Sequence, residues 1–300
     1  MKLYSALPAL ALAFATPVFA EPGPAVAETE IMVGEALPGA FFATPEGEGP
    51  FPAIIILGGS EGGDRGSRGS AKRFLAEGYA VLGLPYYSPA WGGNDQQFPT
   101  LPRAFAEIPV DKAKTAKDWL SDRPEIRGED IAVYGVSKGA EFALLAGSFI
   151  DGFAAIAAIV PTDVVWEGWG TDDGTRPSSF SWQGEPLPFV PYDGMNEEFA
   201  NPTGPNGRPR LRLPHDKGRN ANPDRAVAAR INVETIDEPV EVAASTLIEV
   251  DRERDLHGRV LNDAYATPDA FLGHVYTESQ RRLNRDVDHD SGEGLQLQPF

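Results

Sequence analysis

The stretch IAVYGVSKGAEF at residues 131–142 constrains the fold of this chain more than any other part. An apolar strand pattern runs into Gly135-Val136-Ser137-Lys138-Gly139, and an alanine-rich helix pattern follows. In a G-x-S-x-G sequence between a strand and a helix, the serine sits on a sharp turn, where the glycines let neighbouring backbone approach without a Cβ clash. The pattern predicts a nucleophile elbow with Ser137 as the nucleophile. An ordinary glycine-punctuated turn is the alternative interpretation.

Apolar runs and amphipathic segments alternate on both sides of this turn. Buried strands are predicted at residues 53–57, 79–84 and 154–160, and helices at residues 110–120 and 138–149. Strands that alternate with helices predict a mainly parallel sheet with helices on both of its faces. The expected fold class is therefore α/β.

Residues 162 to about 225 break this alternation. The stretch is rich in proline and glycine and contains Trp166, Trp169 and Trp182. A long irregular stretch inside a compact domain is usually a functional lid or a binding loop. We therefore expect a lid insertion whose three tryptophans bind the substrate. A solvated surface insertion is the alternative.

Residues 1–20 have the pattern of a cleavable secretory signal. Lys2 precedes an apolar run, and small residues stand at the expected cleavage site. Because the run is too short to span a bilayer comfortably, we expect a secreted or periplasmic protein with no membrane span after signal removal. A buried first helix or a retained anchor is the alternative. Residues 21–300 are expected to form a single domain, whose tail, at about 245–300, is poor in core-forming residues.

Composition narrows the chemistry and the partners. The absence of cysteine excludes disulfides, thiolate metal sites and a cysteine nucleophile. A formal net charge of −18 argues against nucleic acid and anionic membrane surfaces as partners. No group of histidines and carboxylates has metal-ligand spacing. We expect a small-molecule substrate, no metal and no cofactor, and the sequence does not indicate an oligomeric state.

An activated serine also needs donors for the developing oxyanion. The N–H of Lys138 directly follows the nucleophile at a predicted helix N-terminus, so it can serve as one donor. A second donor is expected from Gly59 and Ser60, in the glycine-rich loop 58–63 after a predicted strand. Phosphate binding by this loop is the alternative, although the loop lacks the G-x-x-x-x-G-K-[ST] pattern. Glu141 lies one turn into the nucleophile helix, where a contact with the site and a surface role are both open.

The base and the acid are expected late in the chain, because a fold with this elbow usually orders its triad as serine, acid, histidine. His274 is the favoured base, because glycine precedes it and apolar residues surround it; His257 and the absence of a competent base are the alternatives. His215 precedes the expected acid and is interpreted as a loop residue. Asp251 is the candidate acid, with Asp255 as the alternative.

Five segments together resemble a known family. They are residues 37–63, 74–87, 109–147, 156–170 and 181–192. They are similar to the catalytic domain of the acyl-CoA thioester hydrolase and bile-acid-CoA:amino acid N-acyltransferase family, with G-V-S-K-G-A-E as the most specific motif. The resemblance implies an α/β-hydrolase fold close to dienelactone hydrolases, with Ser137 as nucleophile and the 58–63 loop at the oxyanion hole. It implies acyl thioesters or related esters as substrates.

The chain departs from this family in two respects. From residue 245 onward the family pattern is lost: the glycine- and aspartate-rich acid loop, the W-P-S segment and the G-A-G-H turn are all missing. We interpret the tail as replaced. Acyl-CoA is a cytoplasmic metabolite, so the predicted signal favours general ester or thioester hydrolysis.

The sequence thus predicts an exported serine hydrolase that cleaves an acyl ester or thioester through an acyl-enzyme on Ser137. The alternatives are a non-catalytic binding protein on a decayed hydrolase scaffold, and an acyltransferase with an amine acceptor.

Overall fold

A computed structural model describes residues 29–90, 95–204, 207–233, 236, 240–243 and 260–261 of the chain. The predicted signal at 1–20 lies outside the described residues. So does the predicted tail at 245–300, apart from residues 260–261.

The strands alternate with helices as the sequence predicts. The strands are β1 (Thr29–Met32), β2 (Phe41–Thr44), β3 (Phe51–Leu57), β4 (Ala80–Gly83), β5 (Ile108–Pro109), β6 (Ile126–Val136), β7 (Ala155–Ile159), β8 (Phe180–Trp182), β9 (Glu185–Pro186), β10 (Val240–Ala243) and β11 (Val260–Leu261). The helices are α1 (Arg65–Ala76), α2 (Asp111–Ser121), α3 (Lys138–Phe149), α4 (Met195–Ala200), α5 (Arg212–Ala221) and α6 (Pro223–Ala228).

One large sheet organises the described residues. Its strand order is β1-β2-β4-β3-β6-β7-β10-β11. The β1–β2 and β2–β4 pairs are antiparallel, and all later pairs are parallel. This mainly parallel sheet, with strands that cross over through helices, confirms the α/β-hydrolase fold class.

The central strand β3 shows why the sheet must be covered on both faces. Ile54, Ile55 and Ile56 are all fully buried. Ile55 belongs to the apolar cluster that contains buried residues of α2 and α3, whereas Ile54 and Ile56 belong to the cluster that contains residues of α1. Alternate side chains of a strand point to opposite faces, so these helices cover the two faces. Burial of each such isoleucine contributes about 1.5–3 kcal/mol to stability.

The stretch predicted as a lid insertion has regular structure of its own. It contains β8, β9 and the helices α4 and α5. β8 pairs with β5 in parallel and with β9 in antiparallel orientation, in a small second sheet. That the stretch acts as a lid stays a prediction. None of the helices in the described part of the chain combines the length and the apolar character needed to cross a bilayer.

Candidate active site

Ser137 stands on the sharp turn that the sequence predicts, between the end of β6 and the start of α3. Its backbone has φ 54° and ψ −118°, a combination that L-residues rarely adopt. Such a conformation costs about 1–3 kcal/mol and persists only where the surroundings impose it. The Ser137 N–H donates to the carbonyl of Ile159 at 2.8 Å, and the Ser137 carbonyl accepts the N–H of Ala140 at 2.9 Å. Strand β7 and the first turn of α3 therefore hold the strained serine in place.

The two glycines of the motif are required by close backbone contacts. A Cβ at Gly135 would lie 2.0 Å from the carbonyl oxygen of Gly139. A Cβ at Gly139 would lie 2.3 Å from the carbonyl oxygen of Gly58 and 2.5 Å from that of Leu57. The absence of these side chains lets the elbow close and brings it directly against the end of β3.

The predicted oxyanion loop lies beside the serine. A Cβ at Gly59 would lie 3.3 Å from Ser137 Cβ, so the structure brings Ser137, Lys138 and Gly59 together. Ser60 is the next residue and is exposed. The Gly59 N–H donates to Glu61 Oε1 at 3.0 Å. Because this donor already has an acceptor, the Glu61 carboxylate has to move before the Gly59 N–H can serve a substrate oxygen.

Two tyrosines after β4 hold the other side of this loop, and sequence reasoning missed them. The Tyr86 hydroxyl donates to the carbonyls of Gly58 at 2.6 Å and Gly59 at 3.2 Å. The Tyr87 hydroxyl donates to the carbonyl of Ser60. Burial raises the pKa of both phenols, so both remain protonated donors at neutral pH. The only local signal was a Tyr-Tyr pair placed directly after a buried strand.

Lys138 and Glu141 form a buried ion pair immediately after the serine. Lys138 Nζ lies 2.8 Å from Glu141 Oε2, and the two residues are only 8% and 1% exposed. Burial raises the pKa of Glu141 and lowers that of Lys138, and each charge opposes the shift in the other. Glu141 therefore contacts the site rather than the surface.

Three aromatic rings enclose the Lys138 ammonium. Its Nζ lies 5.6 Å from the ring centroid of Phe105, 5.8 Å from that of Trp169 and 6.0 Å from that of Phe180. Cations at such distances from ring faces are stabilised by the ring quadrupole. Trp169 stacks on Phe105 with centroids 4.5 Å apart, so this predicted binding residue lies beside the elbow.

The indole side chains of the other two predicted binding tryptophans point to other places. Trp166 is 1% exposed and stacks on Tyr192, with ring centroids 5.0 Å apart, in a separate apolar cluster. Trp182 stacks on Phe149 at the far end of α3, with centroids 5.0 Å apart. The structure does not gather the three indoles around one cavity. Their shared substrate-binding role stays a prediction.

Of the four histidines, His215 is the one within the described residues. It lies in helix α5, so its interpretation as a loop residue is wrong. Its Nδ1–H donates to the carbonyl of Leu211, and its ring edge meets Trp166 with centroids 4.5 Å apart. Burial lowers the pKa of His215 to about 4, so the imidazole is neutral at neutral pH.

The residues proposed to complete the triad, His274 and Asp251, lie outside the described residues, as do the alternatives His257 and Asp255. The base and the acid therefore stay predictions. Across the ranges that the structure describes, no three His, Cys, Asp or Glu side chains are grouped so that they could hold a metal ion.

The part of the chain that contains Ser137 is similar to a known family. Residues 111–175 match the family described as BAAT / acyl-CoA thioester hydrolase C terminal. Human mitochondrial acyl-coenzyme A thioesterase 2 is 31% identical over 136 residues, which are 45% of this chain and 26% of that protein. Acyl-coenzyme A thioesterase 5 of Mus musculus is 33% identical over 115 residues, 38% of this chain and 25% of that protein. The match thus spans about a quarter of the length of these curated relatives.

Solved structures are similar over more of the chain but at lower identity. An esterase from Pyrococcus furiosus is 14% identical with a TM-score of 0.47, covering 81% of this chain and 85% of that one. The 2,6-dihydroxy-pseudo-oxynicotine hydrolase is 18% identical with a TM-score of 0.38, covering 73% of this chain and 52% of that one. The family match and the curated relatives confirm the resemblance that the motifs predicted: the chain contains an α/β-hydrolase domain like that of the acyl-CoA thioester hydrolases and BAAT.

Proposed function

We propose that this chain hydrolyses an acyl ester or thioester through an acyl-enzyme on Ser137. The observation that carries the proposal is the strained backbone of Ser137 between β6 and α3, with the Gly59 backbone beside its side chain. Ser137 is exposed and, as the N-cap of α3, makes no side-chain capping hydrogen bond, so the strain is best explained by a requirement to present Oγ. The similarity to acyl-CoA thioesterases supports the acyl substrate.

In the proposed reaction the Ser137 oxygen attacks the acyl carbonyl carbon, and its proton passes to a base. The Lys138 N–H and the N-terminus of α3 stabilise the negative oxygen of the tetrahedral intermediate. The intermediate collapses to the acyl-enzyme and releases a thiol or an alcohol, which takes up the proton. Water then repeats the addition and releases the acid. We propose His274 as the base and Asp251 as the residue that orients it.

The proposed substrate class is a small-molecule acyl ester or thioester, cleaved outside the cytoplasm if residues 1–20 direct export. A fluorophosphonate probe tests the nucleophile, because it labels a serine only when a base activates it. We expect labelling of wild-type protein with the adduct on Ser137, none of Ser137→Ala, and hydrolysis of short acyl esters by the wild type alone. Folded protein that is neither labelled nor active would instead indicate a non-catalytic scaffold, and amide products formed with added amines would indicate acyl transfer.

Two further measurements test the remaining parts of the proposal. His274→Ala should abolish both labelling and hydrolysis, whereas His257→Ala should leave both near wild type; the reverse pattern would transfer the base to His257. Mass determination of protein recovered from the periplasm should show loss of the first twenty residues. Intact protein retained in the cytoplasm would refute export.

A further inference from the structure

Glu141 is a buried carboxylate that joins the nucleophile helix to the segment after β7. Its Oε2 accepts Lys138 Nζ at 2.8 Å and Thr162 Oγ1 at 3.3 Å, and its Oε1 accepts the N–H of Trp166 at 3.3 Å. Thr162 and Trp166 lie 21 and 25 residues further along the chain. We call Lys138, Glu141, Thr162 and Trp166 the elbow junction.

Stability alone is a weak reason for such a junction. Placing two charges inside a protein costs several kcal/mol per ion, and apolar residues of similar volume often stabilise a fold as well or better. What a buried carboxylate with several donors does provide is geometry, because each hydrogen bond is lost if either segment shifts. The elbow junction fixes where the chain after β7 stands relative to α3.

Lys138 links the elbow junction to the segment after β7 a second time. The ammonium is enclosed by rings from Trp169 and Phe180, which lie within residues 162–182, and by Phe105. The Phe105 N–H donates to the Trp169 carbonyl at 3.0 Å, and the Trp169 N–H donates to the Phe105 carbonyl at 2.9 Å. The Lys138 side chain therefore contacts the 162–182 segment, and the Lys138 backbone directly follows Ser137.

We propose that Glu141 is a positioning residue, which through the elbow junction fixes the 162–182 segment relative to Ser137 and so sets the acyl-chain preference of the site. This inference rests on the proposed hydrolase function. The 162–182 segment borders the elbow at Trp169. A displacement of this segment therefore changes the space available to the acyl group more than it changes the positions of the reacting groups at Ser137. Loss of the junction should weaken binding of long acyl chains and leave short ones nearly unaffected.

Glu141→Gln tests this with Asp130→Asn as the matched control. Asp130 is also a buried carboxylate, 7% exposed and paired with Arg127 at 3.2 Å, but it lies in β6 ahead of the residues that lead to the elbow. Kinetics are measured on acetyl, hexanoyl and dodecanoyl esters of one leaving group. For Glu141→Gln we expect kcat/KM for the dodecanoyl ester to fall about tenfold, mainly through KM, with the acetyl ester changed less than about threefold. Asp130→Asn should change kcat/KM for all three esters by the same factor.

Two other variants distinguish a positioning effect from a simple loss of stability. Thr162→Val removes only the hydroxyl, which bonds Glu141 and the carbonyl of Val164, and it should reproduce the chain-length effect in weaker form. Lys138→Met with Glu141→Gln removes both charges, so it should recover stability but not the chain-length preference. Chain-length profiles parallel to that of wild type in all folded variants would overturn the positioning role.

Failure of the proposed hydrolase function can be distinguished from failure of the positioning role. If wild-type protein is neither labelled nor active, that function is refuted, and limited proteolysis tests the junction without substrate. Cleavage within residues 162–182 should then be faster in Glu141→Gln than in Asp130→Asn at equal global stability. Equal cleavage rates would overturn the positioning role as well.

Discussion

Gly139→Ala tests whether the close approach of the elbow to the oxyanion loop matters for reactivity. The added Cβ would lie 2.3 Å from the Gly58 carbonyl oxygen and 2.5 Å from that of Leu57, where Cβ atoms essentially never come within 3.0 Å. Both neighbours are backbone, so neither can rotate out of the way. The start of α3 and the end of β3 must therefore separate by more than half an ångström.

This displacement should lower the reaction rate as well as the stability of the fold. Overpacking typically costs about 1–3 kcal/mol of folding free energy. A misplacement of about 1 Å at reacting groups costs roughly 10²-fold in rate, and loss of one oxyanion donor costs about 10²–10³-fold in kcat. Gly139 follows Lys138 in the chain and packs against Gly58, the neighbour of Gly59. A shift at Gly139 therefore changes the spacing of the two expected oxyanion donors, and we expect kcat of Gly139→Ala to fall roughly 10²-fold with a small change in KM.

The matched control is Gly69→Ala in α1, where an added Cβ meets nothing within 4 Å. Glycine inside a helix is destabilising by about 0.5–1 kcal/mol relative to alanine, so this control should be slightly more stable than wild type and fully active. Urea unfolding, short-ester kinetics and the rate of fluorophosphonate labelling are measured for both variants. A folded Gly139→Ala protein that is labelled at the wild-type rate would refute the reasoning.

Three other predictions concern backbone strain and pH. Ser137→Gly should be more stable than Ser137→Ala by about 1 kcal/mol, because only glycine relieves the positive φ; equal urea midpoints would contradict the strain. Burial raises the pKa of Tyr86 and Tyr87, so their stabilisation is complete below the unfolded-state pKa near 10. It should decline as pH rises further, by up to about 1.4 kcal/mol per pH unit for each phenol, and Tyr87→Phe should flatten that decline in unfolding titrations. The pKa of His215 is lowered to about 4, so stability should be full above the unfolded-state value near 6.5 and fall as pH drops towards 4. His215→Phe should remove this acid dependence, and an unchanged slope would show that His215 is not its source.

The parts of the fold that sequence patterns predicted are those that depend on local order. The apolar run 131–136 and the glycines around Ser137 determine a strand, a turn and a helix within a few residues, and the structure has them there. The alternation of strands and helices likewise predicts a parallel sheet, because parallel neighbours need a long crossover connection, which is usually a helix. Such features need no knowledge of distant contacts.

The parts that sequence patterns did not predict depend on pairs that are distant in the chain. Tyr86 bonds a carbonyl 28 residues away, and Glu141 bonds the N–H of Trp166 25 residues away. No periodicity records which donor meets which acceptor across such distances. The three tryptophans of residues 162–225 were grouped because their residue type was the only available signal. Packing instead puts the Trp166 indole in a separate apolar cluster and the Trp182 indole on Phe149 at the far end of α3.

Lys138 belongs to two systems at once, and its main chain and side chain serve them separately. Its N–H would face the substrate oxygen, and any residue type supplies that donor equally well. Its ammonium faces away into Glu141 and the rings of the 162–182 segment, where only a long cation fits. A lysine at this position is therefore explained by the elbow junction rather than by the oxyanion. The residue type after Ser137 reflects how the neighbouring segment is held, and the proposed chemistry uses only the backbone of Lys138.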